Sequence, residues 1–400
     1  MSTQPTDTEV QFNHNNPELM QNPWPLYEKF RSGKCPVNHS SELGGFWTVA
    51  SFDAIKHVEF NHQTFTSTEG TGLPPHPERM YPIDLDPPKH TQYRMLLNKH
   101  FTLESSNKWR EGAIEETHAL IDNFIERGEA DLAAELCRPM PPTVVLPMLG
   151  VPPEYRADVC EWIEQMTRLR ATEPMVAFGA WQNVVQLLLK LSAERRNQPP
   201  QGDLMDALHA ATIDGKPLTD DDVFRTLSII LFGGLDTTTA VMLMALKHFD
   251  ENPQDRDRYL NEPGLKAVAM EEFVRYTSPI QGLRRVVTQD TELEGVPLEQ
   301  GESVFLLYGS GNRDETKFPD ANRCVIDRGN NHHMGFGIGP HVCLGRNFAR
   351  MEFEVLMTAV LERMPDFKLK PGTVIEFTTG EARGIKSFPV TFTPGKRRGS

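Results

Sequence analysis

The chain has 400 residues and a formal net charge of -14 at pH 7, which argues against nucleic acid or an anionic membrane as the main partner. Five cysteines (Cys35, Cys137, Cys160, Cys324 and Cys343) form no Cys-x-x-Cys pair and suit no disulfide framework, so a reducing cytoplasm is the expected location. No stretch reads as the roughly 20 apolar residues of a membrane span, because the longest run, SIILFGGL, carries two glycines.

Residues 1–20, rich in Pro, Asn and Thr, read as loosely ordered, and MSTQPTDTEVQF lacks the basic-then-apolar order of a signal peptide. GFWTVA at 45–50 reads as a short strand. Residues 67–83, STEGTGLPPHPERMYPI, show no periodicity and form a long loop. Loops of that length inside a compact domain are usually functional or disordered. DPPKHTQYRMLLNKHF opens a helix, and helical spacing recurs across about 104–127, 153–170 and 178–197.

The segment Thr219 to Asp250 predicts a long helix, with Thr219 as N-cap and Asp220, Asp221 and Asp222 in the first turn. Residues 226–245 are apolar nearly all round, so this helix is buried. Another helix spans 265–277 and stops before Pro279. Residues 283–308 alternate with turn signals, as short strands do. A last helix covers 344–364, and two short strands near 373–393 follow. Helix dominates, and strand is a minor part.

The most informative stretch is FGIGPHVCLG, where Gly335, Gly337, Gly339 and Gly345 bracket Cys343. Glycines allow tight turns and close approach to a flat object. Cys343 stands just before a helix, whose amides point at its sulfur and stabilise a thiolate. The decapeptide resembles the haem-binding signature of the cytochromes P-450, with every signature position filled. That resemblance implies a mainly α fold with small β-sheets and haem b held between the long central helix and the cysteine-loop helix. It implies Cys343 as axial thiolate, Phe336 packed over the proximal haem face, His341 bonded to a propionate, and Gly337 and Gly345 at the cofactor.

Three further stretches are similar to the family. Glu272 and Arg275, at i, i+3, share a helix face and taken alone make an ordinary surface pair. The resemblance buries them and joins them to Arg328 of VIDRGN. Gly233-Gly234-Leu235-Asp236-Thr237-Thr238 puts poor helix formers in mid-helix. Either a ligand approaches the backbone there, or the glycines serve helix packing. The resemblance makes Asp236 and Thr237 the acid–alcohol pair that relays protons to dioxygen. It also places His90, Arg94 and Arg285 at the propionates, with Arg284 the neighbour easily confused with Arg285. One catalytic domain then spans 21–392, with 393–400 a tail; the other four cysteines match no family role.

By the same resemblance the substrate pocket draws on the 67–83 loop, the region near 168–182, Ile229, Phe232 and Gly233, residues 280–283, and 379–382. Ile229, Phe232, Ile280 and Leu283 are apolar, and Gln281 offers one polar anchor. The mixture suits a small hydrophobic substrate, and the look is nearest to camphor- and terpenoid-hydroxylating members. No flavin, nicotinamide or iron–sulfur motif is present, so electrons are expected from a separate ferredoxin. Its docking patch is expected at Arg94, Lys99, Arg346 and Arg350. A monomer is the expected state. A peroxygenase or oxidative-coupling enzyme and a haem sensor are the competing readings, and the Asp236-Thr237 pair favours dioxygen over both.

Overall fold

A computed structural model describes residues 11–33, 35–76, 78–169 and 172–398. Its axis is the Asp220–Glu251 helix, and local chemistry sets where that helix begins. The Asp222 amide donates to Thr219 Oγ1 at 3.1 Å, and the Thr219 amide donates back to the Asp222 carboxylate at 3.0 Å. This reciprocal cap satisfies donors that a helix end leaves orphaned. Beyond it, Leu227, Leu231, Leu235, Met242, Leu246 and Phe249 are buried. They pack against the Met140–Leu149, Pro174–Arg195, Leu265–Thr277 and Arg346–Arg363 helices. The two glycines expected to interrupt the apolar run lie inside unbroken helix. Among the described residues this is the one helix long and apolar enough to cross a bilayer, and its most apolar window is 56% buried by the rest of the fold.

A five-stranded sheet flanks the helices, in the order Val37–Ser40, Phe46–Val49, Ser303–Leu306, Leu283–Val287, Phe65–Thr66. Phe46–Val49 and Ser303–Leu306 run parallel, and the other pairs antiparallel. The register sets Arg284 against Phe305 and Arg285 against Val304, so these neighbouring arginines point to opposite faces. Arg285 thereby enters the interior. The strands expected near 373–393 fall at Lys368–Leu369 and Pro389–Thr391, and they join Glu129–Asp131 in a second sheet.

Two segments depart from the sequence expectation. Residues 11–20 are packed, not loose: Phe12 and Met20 are fully buried, and Asn16 caps a Pro17–Gln21 helix. The polar composition hid two apolar anchors. The Met140–Leu149 helix was unforeseen because Pro141, Pro142 and Pro147 obscure its periodicity. The first two occupy the opening turn, where a missing N–H is harmless. Thr393, Gly395 and Arg398 of the expected tail bond through their amides to Asp366, Ile125 and Asp122.

The connection to the cysteine loop is held by Glu272 and Arg275, both fully buried on the Leu265–Thr277 helix. Arg275 donates to both Glu272 oxygens at 2.7 and 2.8 Å. Arg328 Nε and Asn331 Nδ2 add bonds to Glu272 at 2.9 and 3.1 Å, and the Val325 amide adds one at 2.8 Å. The other Arg275 donors reach the carbonyls of Asn312, Ala321 and Arg323. A coil with little regular structure is thus stitched to a helix. Removing one member of such a network leaves uncompensated buried charge. Glu272→Ala is therefore expected to lose about 3–5 kcal/mol in urea unfolding relative to the parent. A loss below about 1 kcal/mol, the scale of an exposed pair, would show that the backbone carbonyls alone suffice.

Candidate functional site

The cysteine loop follows directly. Gly335 lies so near Val274 that a Cβ would sit 2.7 Å from its side chain, and Gly337 and Gly339 adopt φ of 69° and 67°. Only glycine takes these positions without strain. The loop closes when the Cys343 amide donates to the Phe336 carbonyl at 2.7 Å. Burial holds the Cys343 thiol above its usual range, while the Gly345 amide and the cations Arg94, Arg346 and Arg350 act to stabilise the thiolate. Phe336 has the Arg350 guanidinium over its ring.

Cys343 lines a cavity of about 780 Å³. Phe336, Gly337, His341, Gly345, His90 and Arg94 share its wall. The His90 and His341 rings lie 4.3 Å apart. Burial and the nearby Arg94 depress His90 to about 4, and burial with Arg285 and His90 holds His341 well below the usual imidazole range. Both rings are therefore neutral at pH 7. His90 Nε2 is buried without a hydrogen-bond partner, and Arg94 has no carboxylate within ion-pair reach among the described residues. Groups left in this condition call for anionic acceptors. A thiol beside such a wall fits a flat metallated dianion such as haem b.

Arg285 stands behind this wall, 2% exposed, and donates to both Glu59 oxygens at 3.1 and 2.9 Å. Arg284 instead turns away to Ser303, Glu69 and Gly70. The structure therefore brings Arg285, and not its neighbour, toward His90 and His341.

Across the cavity runs the central helix. Ile229, Phe232, Gly233, Asp236 and Thr237 all line the space. Thr237 Oγ1 donates to the Gly233 carbonyl at 2.7 Å. The two glycines differ in role. A Cβ on Gly233 meets nothing within 4 Å, whereas one on Gly234 would lie 2.9 Å from Val145. Gly233 thus faces the cavity, and Gly234 lets two helices touch.

Ile280 and Leu283 line the cavity, but Gln281 does not. Its amide is fully buried, donating to the Ser278 carbonyl at 2.6 Å and accepting from Tyr27 Oη at 3.2 Å. The expected polar anchor is a packing residue, because the turn after Pro279 rotates it inward. The docking patch also changes. Arg94 is turned into the cavity wall, and Arg350 is committed to Glu271 at 2.6 and 3.1 Å. Lys99 remains exposed. In the 168–182 region, residues 170 and 171 lie outside the described residues; Pro174, Ala177, Phe178 and Trp181 contribute to the cavity.

The 67–83 loop closes the far end. Asp84, 3% exposed, gathers it by accepting from the Thr71 amide and hydroxyl, both at 2.8 Å, and from the Met80 amide at 2.9 Å. Arg225 of the central helix donates to the Arg79 carbonyl at 2.9 Å and pairs with Glu78 at 3.1 Å.

Two cavity acids escaped the sequence reading. Glu59 sits four residues after Ile55, on the apolar face of the Phe52–Phe60 helix. Glu352 follows Phe348 by the same interval. Burial raises its carboxyl well above the usual range, and Oε1 has no partner. An acid at a core position of a helical repeat is the signal that would have found both.

Comparison with known proteins agrees with this geometry. The family model for cytochrome P-450 matches residues 48–386. Steroid C26-monooxygenase of Mycobacterium tuberculosis is 31% identical over 363 residues, covering 88% of this chain and 96% of that protein. The putative cytochrome P-450 YjiB of Bacillus subtilis is 30% identical over 393 residues, covering 94% and 96%. Among solved structures, CYP109E1 from Bacillus megaterium in complex with testosterone aligns with a TM-score of 0.85 at 28% identity, covering 94% of this chain and 100% of that one. A match of this extent in both sequence and shape makes the chain a member of the cytochrome P-450 family.

Proposed function

We propose that this enzyme hydroxylates a rigid, mostly apolar isoprenoid-type substrate, a terpenoid or a steroid, with Cys343 as the thiolate that would hold the haem iron and Asp236 and Thr237 as the proton relay. As a cytochrome P-450 monooxygenase it binds haem b and uses a small substrate, dioxygen and a redox partner. The observation that carries the reading is one continuous cavity on which Cys343, the His90–His341 wall and the Asp236-Thr237 pair all open. When bound, the haem supplies the iron at which dioxygen is activated, and thiolate ligation favours O–O cleavage.

The chain's own residues do the rest. His90, His341, Arg94 and Arg285 hold the propionates. Thr237, with its proton given to the Gly233 carbonyl at 2.7 Å, presents oxygen lone pairs to the cavity and accepts a bond from a water there. Asp236 exchanges protons with that chain of hydroxyl and water. Ile229 and Phe232 of the central helix, with Ile280 and Leu283, exclude bulk water and enclose an apolar body. The substrate class is supported by the steroid named for the Mycobacterium tuberculosis relative and the testosterone named for CYP109E1. Electrons come from an acidic ferredoxin docking beside exposed Lys99, flanked by Met95 and Leu103, which are 65% and 64% exposed. All five cysteines are free, as suits a cytoplasmic enzyme.

Cys343→Ser is expected to abolish the red-shifted carbon monoxide spectrum of the reduced parent; an identical spectrum would overturn the assignment of the ligand. Thr237→Ala should lower product yield by about 10²-fold while electron consumption continues and hydrogen peroxide accumulates. Unchanged coupling would remove Thr237 from the relay. Testosterone and camphor are to be titrated against the haem band, beside a fatty-acid panel, and a shift only with fatty acids refutes the substrate class. Lys99→Glu should weaken ferredoxin affinity, most clearly at low salt.

A further inference from the structure

Glu59 has no part in the function proposed above, yet it occupies a costly position. Its side chain is 1% exposed, and the residue lines the cavity. Arg285 meets both its oxygens, and Tyr308, also buried and on the cavity, donates its hydroxyl to Oε1. The Glu59 carbonyl lies 3.3 Å from where a Cβ of Gly339 would stand, so this helix end abuts the cysteine loop. The acid is therefore fixed between the strand that carries Arg285 and the loop that carries Cys343.

A wall built to receive two propionates gains nothing in affinity from a third anion. A buried ion pair survives because each charge compensates the other. The Arg285–Glu59 pair is already complete, so a propionate approaching Arg285 shares a cation whose charge is largely offset. Two consequences follow from Coulomb's law in a medium of low dielectric. Arg285 grips the propionate less tightly than an unpaired arginine would. A fixed negative charge beside the porphyrin also favours the oxidised iron over the reduced, since reduction adds a further electron.

We propose that Glu59 is a positioning residue that competes with a haem propionate for Arg285, holding the reduction potential down and moderating haem retention, with Tyr308 partly masking its charge. The proposal rests on the haem reading above.

The test uses the full-length, haem-loaded protein without substrate and two measurements: the midpoint potential by spectroelectrochemistry, and the rate of haem transfer to excess apomyoglobin. Glu59→Gln keeps the shape and removes the charge. Its potential is expected to rise, and its haem transfer to slow several-fold. A merely structural Glu59 gives the opposite pattern, with haem lost faster and the potential unmoved, and that result overturns the proposal. Tyr308→Phe unmasks the carboxylate without removing either charge, so its potential should fall. It keeps the question open to refutation should Glu59→Gln fail to fold, because a rise or no change in Tyr308→Phe also refutes the role. If the parent lacks the thiolate carbon monoxide spectrum, the haem reading fails. If that spectrum is intact and the potentials coincide, only the role of Glu59 falls.

Discussion

The buried carboxylate of Glu272 is the contact on which the placement of the reactive cysteine depends. It accepts from Arg275, Arg328, Asn331 and the Val325 amide, while Arg275 spends its remaining donors on three carbonyls of the coil. Helices hold themselves in register by repeating bonds, but the coil between residues 312 and 331 has few of its own. Its course is dictated from outside, by side chains of a neighbouring helix. Such a network adds less to stability than its bond count suggests, since every charge had to leave water. What it supplies is a single geometry. Gly335, tight against Val274 of the same helix, passes that geometry to the loop that ends at Cys343.

The cavity is divided by chemistry. One wall carries His90, His341 and Arg94, neutral or cationic groups, with His90 Nε2 left without a hydrogen-bond partner. The opposite wall is the central helix, where the apolar side chains of Ile229 and Phe232 are followed by Gly233, the carboxylate of Asp236 and a run of threonines from Thr237 to Thr239. A cofactor with an anionic edge and a flat apolar face matches the first wall, and an apolar substrate matches the second. The division explains why so few side chains suffice for a demanding oxidation. The cofactor carries the difficult chemistry, and the protein contributes orientation and an apolar enclosure.

Much of this was legible in the primary structure. Thr219 and its three following aspartates marked the start of the central helix because capping is a local matter, decided within four residues. The glycine pattern around Cys343 was legible because Gly337 and Gly339 take backbone angles that favour glycine alone. What could not be read was anything decided by tertiary partners. Gln281 looked like a substrate anchor, but Tyr27, distant in sequence, claims it. Arg94 was expected both at the propionates and in a docking patch, and its helix turns it inward beside Cys343, away from the second. Arg284 and Arg285 were indistinguishable by type, and only the pairing of Arg285 with Val304 across the sheet told which one faces the interior. Glu59 and Glu352 were hidden for the opposite reason: charged residues on helices are ordinarily assigned to water.

The adjacent glycines of the central helix bear on how this scaffold can diversify. At Gly233 the missing side chain is space available to whatever molecule enters, so a larger residue there would trim the guest and leave the host intact. At Gly234 the same absence belongs to Val145 of the neighbouring helix, and filling it would force two helices apart. Lineages descending from such a protein are therefore free to explore new guests by enlarging the first position. The second is fixed by architecture, and change there requires a compensating loss at Val145.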